Sequence, residues 1–293
     1  MTLNILVPLD VLEATHPALV TAHEFFPNAT LHLLHVMTAT VTTLAPSAHR
    51  LAHLGPALLQ AEEERVQEAR IAITLLGGGE VAASASPATE ILARARHVDL
   101  IWMGKAHKGH LDRFFLGSIA EEVIRNSPVP VVTVSTSQEL PPPPTALMKR
   151  VLILHDFSPA THVALEFVRH HLPDAQINLI HVVDPSALTT PIPTEIMPRG
   201  RVISTQYLED RNNQWRAAAQ ERLNALGGGQ VLEGNPAQVA LNHAGQGYDL
   251  LVIGKSSKGT LDRLIFGATA QRLLHESPIP VLTVNPDWTR ELA

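Results

Sequence analysis

Short apolar runs alternate with longer amphipathic stretches along the chain, and the whole alternation occurs twice. Ile5–Pro8 is a continuous apolar run, short enough for a buried strand. Pro17 opens a helical stretch that ends near Phe26-Pro27, proline being favoured at the first helical position. Thr30–Met37 predicts a second strand. Pro56–Leu76, with the acidic face Glu62-Glu63-Glu64, predicts a long helix stopped by Gly77-Gly78-Gly79, since glycine readily takes the left-handed conformation that ends helices. Glu80–Ala83 reads as a weak strand, Pro87–His97 as a helix and Leu100–Met103 as a strong strand. Ser118–Asn126 reads as a short helix and Val129–Val134 as a last strand. Thr38 to Gly55, and its counterpart from Asp184 to about Ile203, read as long loops.

The second pass repeats the first residue for residue at its key positions. Asn4–Asp10 lines up with Arg150–Asp156, Leu33-Leu34-His35-Val36 with Leu179-Ile180-His181-Val182, and Gly77–Gly79 with Gly227–Gly229. Gly104-Lys105 to Gly117 matches Gly254-Lys255 to Gly267, and Ser127–Val131 matches Ser277–Val281. Between them Pro141–Pro144 forms a stiff spacer by composition. The reading is two copies of one domain, residues 1–137 and 149–293, joined by a Pro-rich linker at 138–148. Five strands alternating with four helices in each copy predict the α/β class: two tandem doubly wound parallel-sheet domains. Right-handed crossovers give the strand order 3-2-1-4-5, which leaves each fifth strand at an edge. Val129–Val134 and Ile279–Val284 carry no charge, and bare apolar edges are normally covered. The two fifth strands are therefore expected to meet across a pseudo-twofold axis within one chain. Pairing of whole chains into a homodimer is a further expectation.

Composition narrows the function. The 293 residues carry a net charge of −6, without the broad positive field that nucleic-acid binding requires. The absence of cysteine excludes disulfides, thiolate metal sites and cysteine nucleophiles. No apolar run reaches the ~18–20 residues of a membrane helix, and Met1–Asp10 does not read as a signal peptide. A soluble, cytoplasmic protein is expected, with no membrane and no nucleic acid among its partners.

In a doubly wound sheet ligands sit beyond the carboxyl ends of the strands where the order reverses, here between the first and fourth strands of each copy. The segments leaving those ends begin at Asp10 and Gly104, and at Asp156 and Gly254. Four of the five lysines (Lys105, Lys108, Lys255 and Lys258) lie in the two Gly-Lys-x-x-Lys-Gly loops. Glycine-borne backbone N–H groups and lysine charge suit an anion, against the plainer reading of a solvated loop copied by duplication. Gly117-Ser118 and Gly267-Ala268 open the next helix, whose N-terminus favours anions. Ser118-Ile119-Ala120-Glu121 also fits a capping box. Asp10 and Asp156 read equally as ligand contacts or as turn and cap residues. His35, His181 and Trp102 read as interior residues. His49/His53 and His107/His110 have spacings that a metal could share, but no carboxylate accompanies them. No metal site is expected, and no catalytic residue.

The first-strand Asp, the Leu-His-Val of the second strand and the glycine-rich segment after the fourth resemble the universal stress protein family, over nearly the full length of both copies. The family's ATP-binding type carries Gly-x2-Gly-x9-Gly-Ser/Thr after the fourth strand. Copy one reads Gly104-x2-His107-x9-Gly117-Ser118, with His107 in place of a glycine. Copy two keeps Asp156, Val182, Gly254 and Gly267 but carries Leu154, Ser257 and Ala268 at motif positions, with Thr269 next in line to supply a hydroxyl. The resemblance implies that Pro8, Asp10 and Val36 hold adenine and ribose. It implies that Met103, Gly104, Gly117, Ser118 and Ile119 line the ribose–phosphate path. ATP, accompanied by Mg, is the implied cofactor, and a stress-response regulator the implied role. A nucleotide-free scaffold is the alternative; a weak ATPase ranks last, because no Mg-holding carboxylate pairs with a catalytic base.

Overall fold

A computed structural model of the chain describes residues 2–38, 55–105, 116–135, 148–184, 205–255 and 267–288, with side chains at 55–59 and 205–209 excepted. The first half contains strands β1 (Asn4–Leu9), β2 (Thr30–Met37), β3 (Gly79–Ala83), β4 (Leu100–Lys105) and β5 (Val131–Ser135). Its helices are α1 (Pro17–Phe25), α2 (Gly55–Leu75), α3 (Pro87–Ala95) and α4 (Ser118–Asn126). The second half contains β6 (Arg150–Leu154), β7 (Gln176–Val183), β8 (Gln230–Glu233), β9 (Leu250–Gly254) and β10 (Val281–Val284). Its helices are α5 (Pro159–His171), α6 (Thr205–Ala225), α7 (Pro236–Ala244) and α8 (Ala268–Glu276). The predicted long loops fall almost wholly outside the described residues.

The strands form one ten-stranded sheet in the order β3-β2-β1-β4-β5-β10-β9-β6-β7-β8. Each half thus has the order 3-2-1-4-5 and is parallel throughout. The halves join where β5 and β10 pair antiparallel, with Leu282 opposite Val132. Both strands are uncharged and buried, so each covers the other's apolar edge.

Side chains alternate between the two faces of the sheet. Ile5, Val7, Leu9, Leu100 and Trp102 point into one core layer, which also holds Phe25, Phe26, Ile73 and Phe167. Leu6, Ile101 and Met103 point into the other, with Ile91, Val123 and Ile124. Trp102 is fully buried, its ring 5.2 Å from Phe25 and 5.9 Å from Phe26. Its Nε1 donates to Thr21 Oγ1 at 2.8 Å, which satisfies the one polar atom that burial would otherwise orphan. Gly77 and Gly78 adopt φ of 110° and 95°, the left-handed stop expected after α2.

The fifth strands begin later than their apolar runs. Ser127 Oγ donates to Val129 O at 2.7 Å and accepts from Val129 N at 3.2 Å. Ser277 holds Ile279 in the same way. The following proline has no N–H for the ladder, so β5 and β10 open one residue beyond it.

Candidate functional site

At the carboxyl ends of β1, β2 and β4, on the α3/α4 side of the sheet, lies a cleft of about 260 Å³. Six of the residues singled out in the sequence line it: Pro8, Asp10, Val36, Met103, Gly104 and Ile119. Leu34, Pro87 and Ile91 also line it. They come from β2 and α3, and their spacing gives no hint of a shared cleft. The volume lies just under the roughly 300–1,000 Å³ of ligand clefts, suiting a small group or one part of a larger ligand. The walls are apolar, and one carboxylate enters from the rim.

Asp10 is held from behind. Its Oδ1 accepts from His16 Nε2 at 2.7 Å and from Val11 N at 3.1 Å. The His16 N–H beside Asp10 holds its carboxyl below the ordinary carboxylate range, while partial burial works the other way. The anionic form only accepts hydrogen bonds, so a ligand at this rim must bring donors. The Asp10 side chain is 65% exposed and that of His16 5%, so the contact runs from the core to the cleft. His16 also caps α1, its Nδ1 accepting from Ala18 N at 3.2 Å. Sequence reasoning passed over His16. Its only local mark is its place before Pro17, and histidine is not among the favoured capping residues.

The N-terminus of α4 faces the same end of the sheet. Gly117 is its N-cap, with no side-chain cap bond, and Ser118 is the first helical residue. The capping box expected at Ser118–Glu121 is not formed. The helix starts one residue earlier than that reading requires, and Glu121 N donates to Gly117 O at 2.9 Å. Helix α8 likewise starts at Gly267 without a side-chain cap. By contrast α1, α3, α5 and α7 are capped by His16, Ser86, Ser158 and Asn235. Uncapped N–H groups are donors available to an anion.

Two lysines sit elsewhere than expected. Lys105 and Lys255 are only 6% and 2% exposed, buried rather than lining a phosphate loop. Lys255 Nζ donates to Arg125 O at 2.8 Å, in the last turn of α4. Lys105 Nζ reaches Ser277 O, at the end of α8, at 3.5 Å. Each lysine thus crosses from its own half to a helix C-terminus of the other, where carbonyls and the helix dipole attract a cation. The cause is strand alternation, which turns residues 105 and 255 to the same face as Met103 and Ile253. Burial pushes the Lys105 ammonium down to about 8 and that of Lys255 to about 7. His107, Lys108, Ser257 and Lys258 lie outside the described residues.

In the second half Asp156 closes β6 as Asp10 closes β1, with a different commitment. Its Oδ1 accepts from Ser158 N at 2.9 Å and from Thr161 Oγ1 at 3.0 Å. Burial opposes its ionisation, yet the Ser158 and Thr161 donors outweigh burial and hold its carboxyl below the ordinary range. Leu154 stands where the first half has Pro8. Val182 is on β7, Gly254 ends β9, and Thr269 lies in the first turn of α8. A side chain at Gly254 would come within 2.7 Å of the Thr161 backbone nitrogen, so α5 lies directly on the end of β9. His35 and His181 act alike in the two halves, each placing Nδ1 2.8 Å from a carbonyl, that of Leu9 or of His155.

The Universal stress protein family profile matches residues 1–135 and 148–285. A universal stress protein from Archaeoglobus fulgidus DSM 4304 has a similar structure, with TM-score 0.62 and 21% identity, covering 97% of this chain and 98% of that one. A putative universal stress protein from Pseudomonas aeruginosa UCBPP-PA14 is similar with TM-score 0.61 and 18% identity, covering 97% and 93%. Both similarities concern the fold. Over 81 residues the chain is 38% identical to the Stress response protein NhaX of Bacillus subtilis (strain 168), covering 26% of this chain and 49% of that protein. The chain spans about half the length of that relative. Among the described residues no helix is long and apolar enough to cross a membrane.

Proposed function

The chain belongs to the universal stress protein family, and on that premise we propose that its first half binds an adenine nucleotide whose occupancy regulates a stress response. The observation that carries this reading is the convergence of Pro8, Asp10, Val36, Met103, Gly104 and Ile119 on one cleft. These positions come from β1, β2, β4 and α4, and separate sequence segments supply them. The chemistry fits the group. Apolar walls suit a base, an acceptor-only carboxylate suits ribose hydroxyls or an exocyclic amine, and the uncapped start of α4 suits phosphate. When bound, ATP supplies its triphosphate as a charged handle; the chain's residues bind and orient it.

A second reading applies to the second half. Asp156 is committed to α5, and Leu154 and Ala268 replace motif residues, so this half serves as the structural partner of the first. Calorimetric titration of ATP tests both readings. Wild type should bind one equivalent, Gly117→Val should abolish the heat, and Gly267→Val should leave it unchanged. Equal heats in wild type and Gly117→Val would remove the proposed site.

A further inference from the structure

We infer that His16 is the positioning residue of the proposed nucleotide site, tying the direction of the Asp10 carboxylate to the N-terminus of α1. The inference rests on the nucleotide reading for its functional meaning, and on the geometry of one imidazole for its mechanism. Both ring nitrogens are engaged, and their roles are opposite. Nδ1 accepts from Ala18 N at 3.2 Å, while Nε2 lies 2.7 Å from Asp10 Oδ1. A nitrogen that accepts an N–H carries no proton itself, so the proton is on Nε2 and is donated to the carboxylate. One tautomer therefore performs the cap and the carboxylate contact together. The ring is almost entirely buried, which fixes its plane, and Pro17 at the first helical position fixes the backbone on its far side. Asp10, by contrast, is mostly exposed and stands on a stretch, Val11 to Thr15, with no regular structure. Without His16 its carboxylate would sample several rotamers, and ordering it would fall on the ligand.

The second half shows that neither job requires histidine. There Ser158 Oγ accepts from Thr161 N to cap α5, while Asp156 accepts from Ser158 N and Thr161 Oγ1. In the first half both jobs pass through one side chain, so a displacement of α1 is transmitted to Asp10. Nucleotide binding and the seating of α1 are thereby linked through His16.

Two substitutions separate the jobs, because asparagine can mimic the Nδ1 position and glutamine the Nε2 position. His16→Asn keeps a favoured cap but cannot reach Asp10. His16→Gln keeps a donor toward Asp10 but is a poor cap. ATP affinity should fall about tenfold in His16→Asn with little change in melting temperature. It should be largely retained in His16→Gln, with a lowered melting temperature. An NMR titration of the Asp10 carboxyl, independent of nucleotide, should show its midpoint moving upward in His16→Asn and not in His16→Gln. If wild type fails to bind ATP while the Asp10 midpoint shifts as stated, the nucleotide reading fails and the positioning role stands. An Asp10 midpoint unmoved by His16→Asn, or ATP affinity unchanged in that variant, would overturn the positioning role.

Discussion

Asp10 and Asp156 close equivalent strands of a duplicated domain, and the two carboxylates face different company. Asp10 receives the Nε2–H of a buried histidine and stays at the rim of a cleft. Asp156 receives the N–H of Ser158 and the hydroxyl of Thr161 and is absorbed into the first turn of α5. The connection explains the split. Asp10 to His16 separates β1 from α1, whereas only His155 to Ser158 separates β6 from α5. A short connection brings the helix N-terminus to the carboxylate, which then completes the cap. A longer one holds the helix start away and leaves the carboxylate to the solvent side, where the long reach of an imidazole ties it to the helix. Phe157 has φ 61°, the left-handed conformation that the tighter turn imposes on a residue that rarely adopts it. Duplication has thus preserved the sheet while loop length has divided the roles of its two ends.

The largest energetic effect is expected at the junction of the halves, where Lys105 and Lys255 exchange places across the β5–β10 pair. Both carry pKa values below the ordinary 10.5 because burial penalises the ammonium. The folded state therefore releases their protons more readily than the unfolded chain does. Between about 7 and 10.5 the unfolded state binds more protons, so stability rises with pH across that window and the penalty is present in full below it. Urea denaturation should show stability rising by several kcal/mol from pH 6 to pH 10, a tenfold difference in proton affinity between the folded and unfolded states being worth about 1.4 kcal/mol. Lys105→Met combined with Lys255→Met should flatten this rise. Of the single variants, Lys255→Met should remove the larger part, because the Lys255 ammonium is pushed down further. A slope that survives the double substitution would place its origin elsewhere.

The two aspartates give the next largest effect, with a different readout on each side. Asp156→Ala strips the acceptor from Ser158 N and Thr161 Oγ1, so a loss of about 1.5–3 kcal/mol in stability is expected, with ATP affinity unchanged. Asp10→Ala should weaken ATP about 10- to 150-fold, the equivalent of about 1.5–3 kcal/mol, with a smaller change in stability. Both carboxyls lie below their ordinary range. Their contributions are therefore present above about pH 4 and are lost as the pH falls through the folded values. Asp10→Ala binding ATP like wild type, with Asp156→Ala impaired, would invert the assignment of the halves.

Local pattern carried the sheet. The apolar runs, the glycine stops and the uncharged fifth strands fix strand order and faces, because burial on both sides of a parallel sheet leaves little choice of side chain. The cleft was legible through the motif positions, but Leu34, Pro87 and Ile91 were not, since β2 and α3 meet there only after the chain has passed through α2 and β3. Lys105 and Lys255 misled for a related reason. A lysine beside a glycine is ordinarily solvated, and lysine is almost never fully buried without a partner. Here the partner carbonyls, those of Arg125 and Ser277, belong to the other half. Only the assembled duplication makes those residues interior.

The smallest effect concerns two serines and sharpens the same contrast at the level of a single cap. Ser158 precedes α5, and its Oγ accepts from Thr161 N at 3.4 Å, a long bond but the helix's own side-chain cap. Ser118 sits one place inside α4, where the N-cap is Gly117 and no side chain caps the turn. Ser158→Ala should therefore cost about 1 kcal/mol of stability and leave ATP binding untouched. Ser118→Ala should leave stability unchanged to within about 0.5 kcal/mol, as for a surface position that makes no cap. If its hydroxyl joins the N–H groups of α4 in holding phosphate, the same variant should weaken ATP severalfold while affecting adenosine little. Titrating both ligands into both variants separates the two roles. A stability loss in Ser118→Ala equal to that in Ser158→Ala would restore the capping box that the sequence suggested, and with it a closed N-terminus for α4. Equal stability with selective loss of ATP would leave that N-terminus open to phosphate and the one at Ser158 closed.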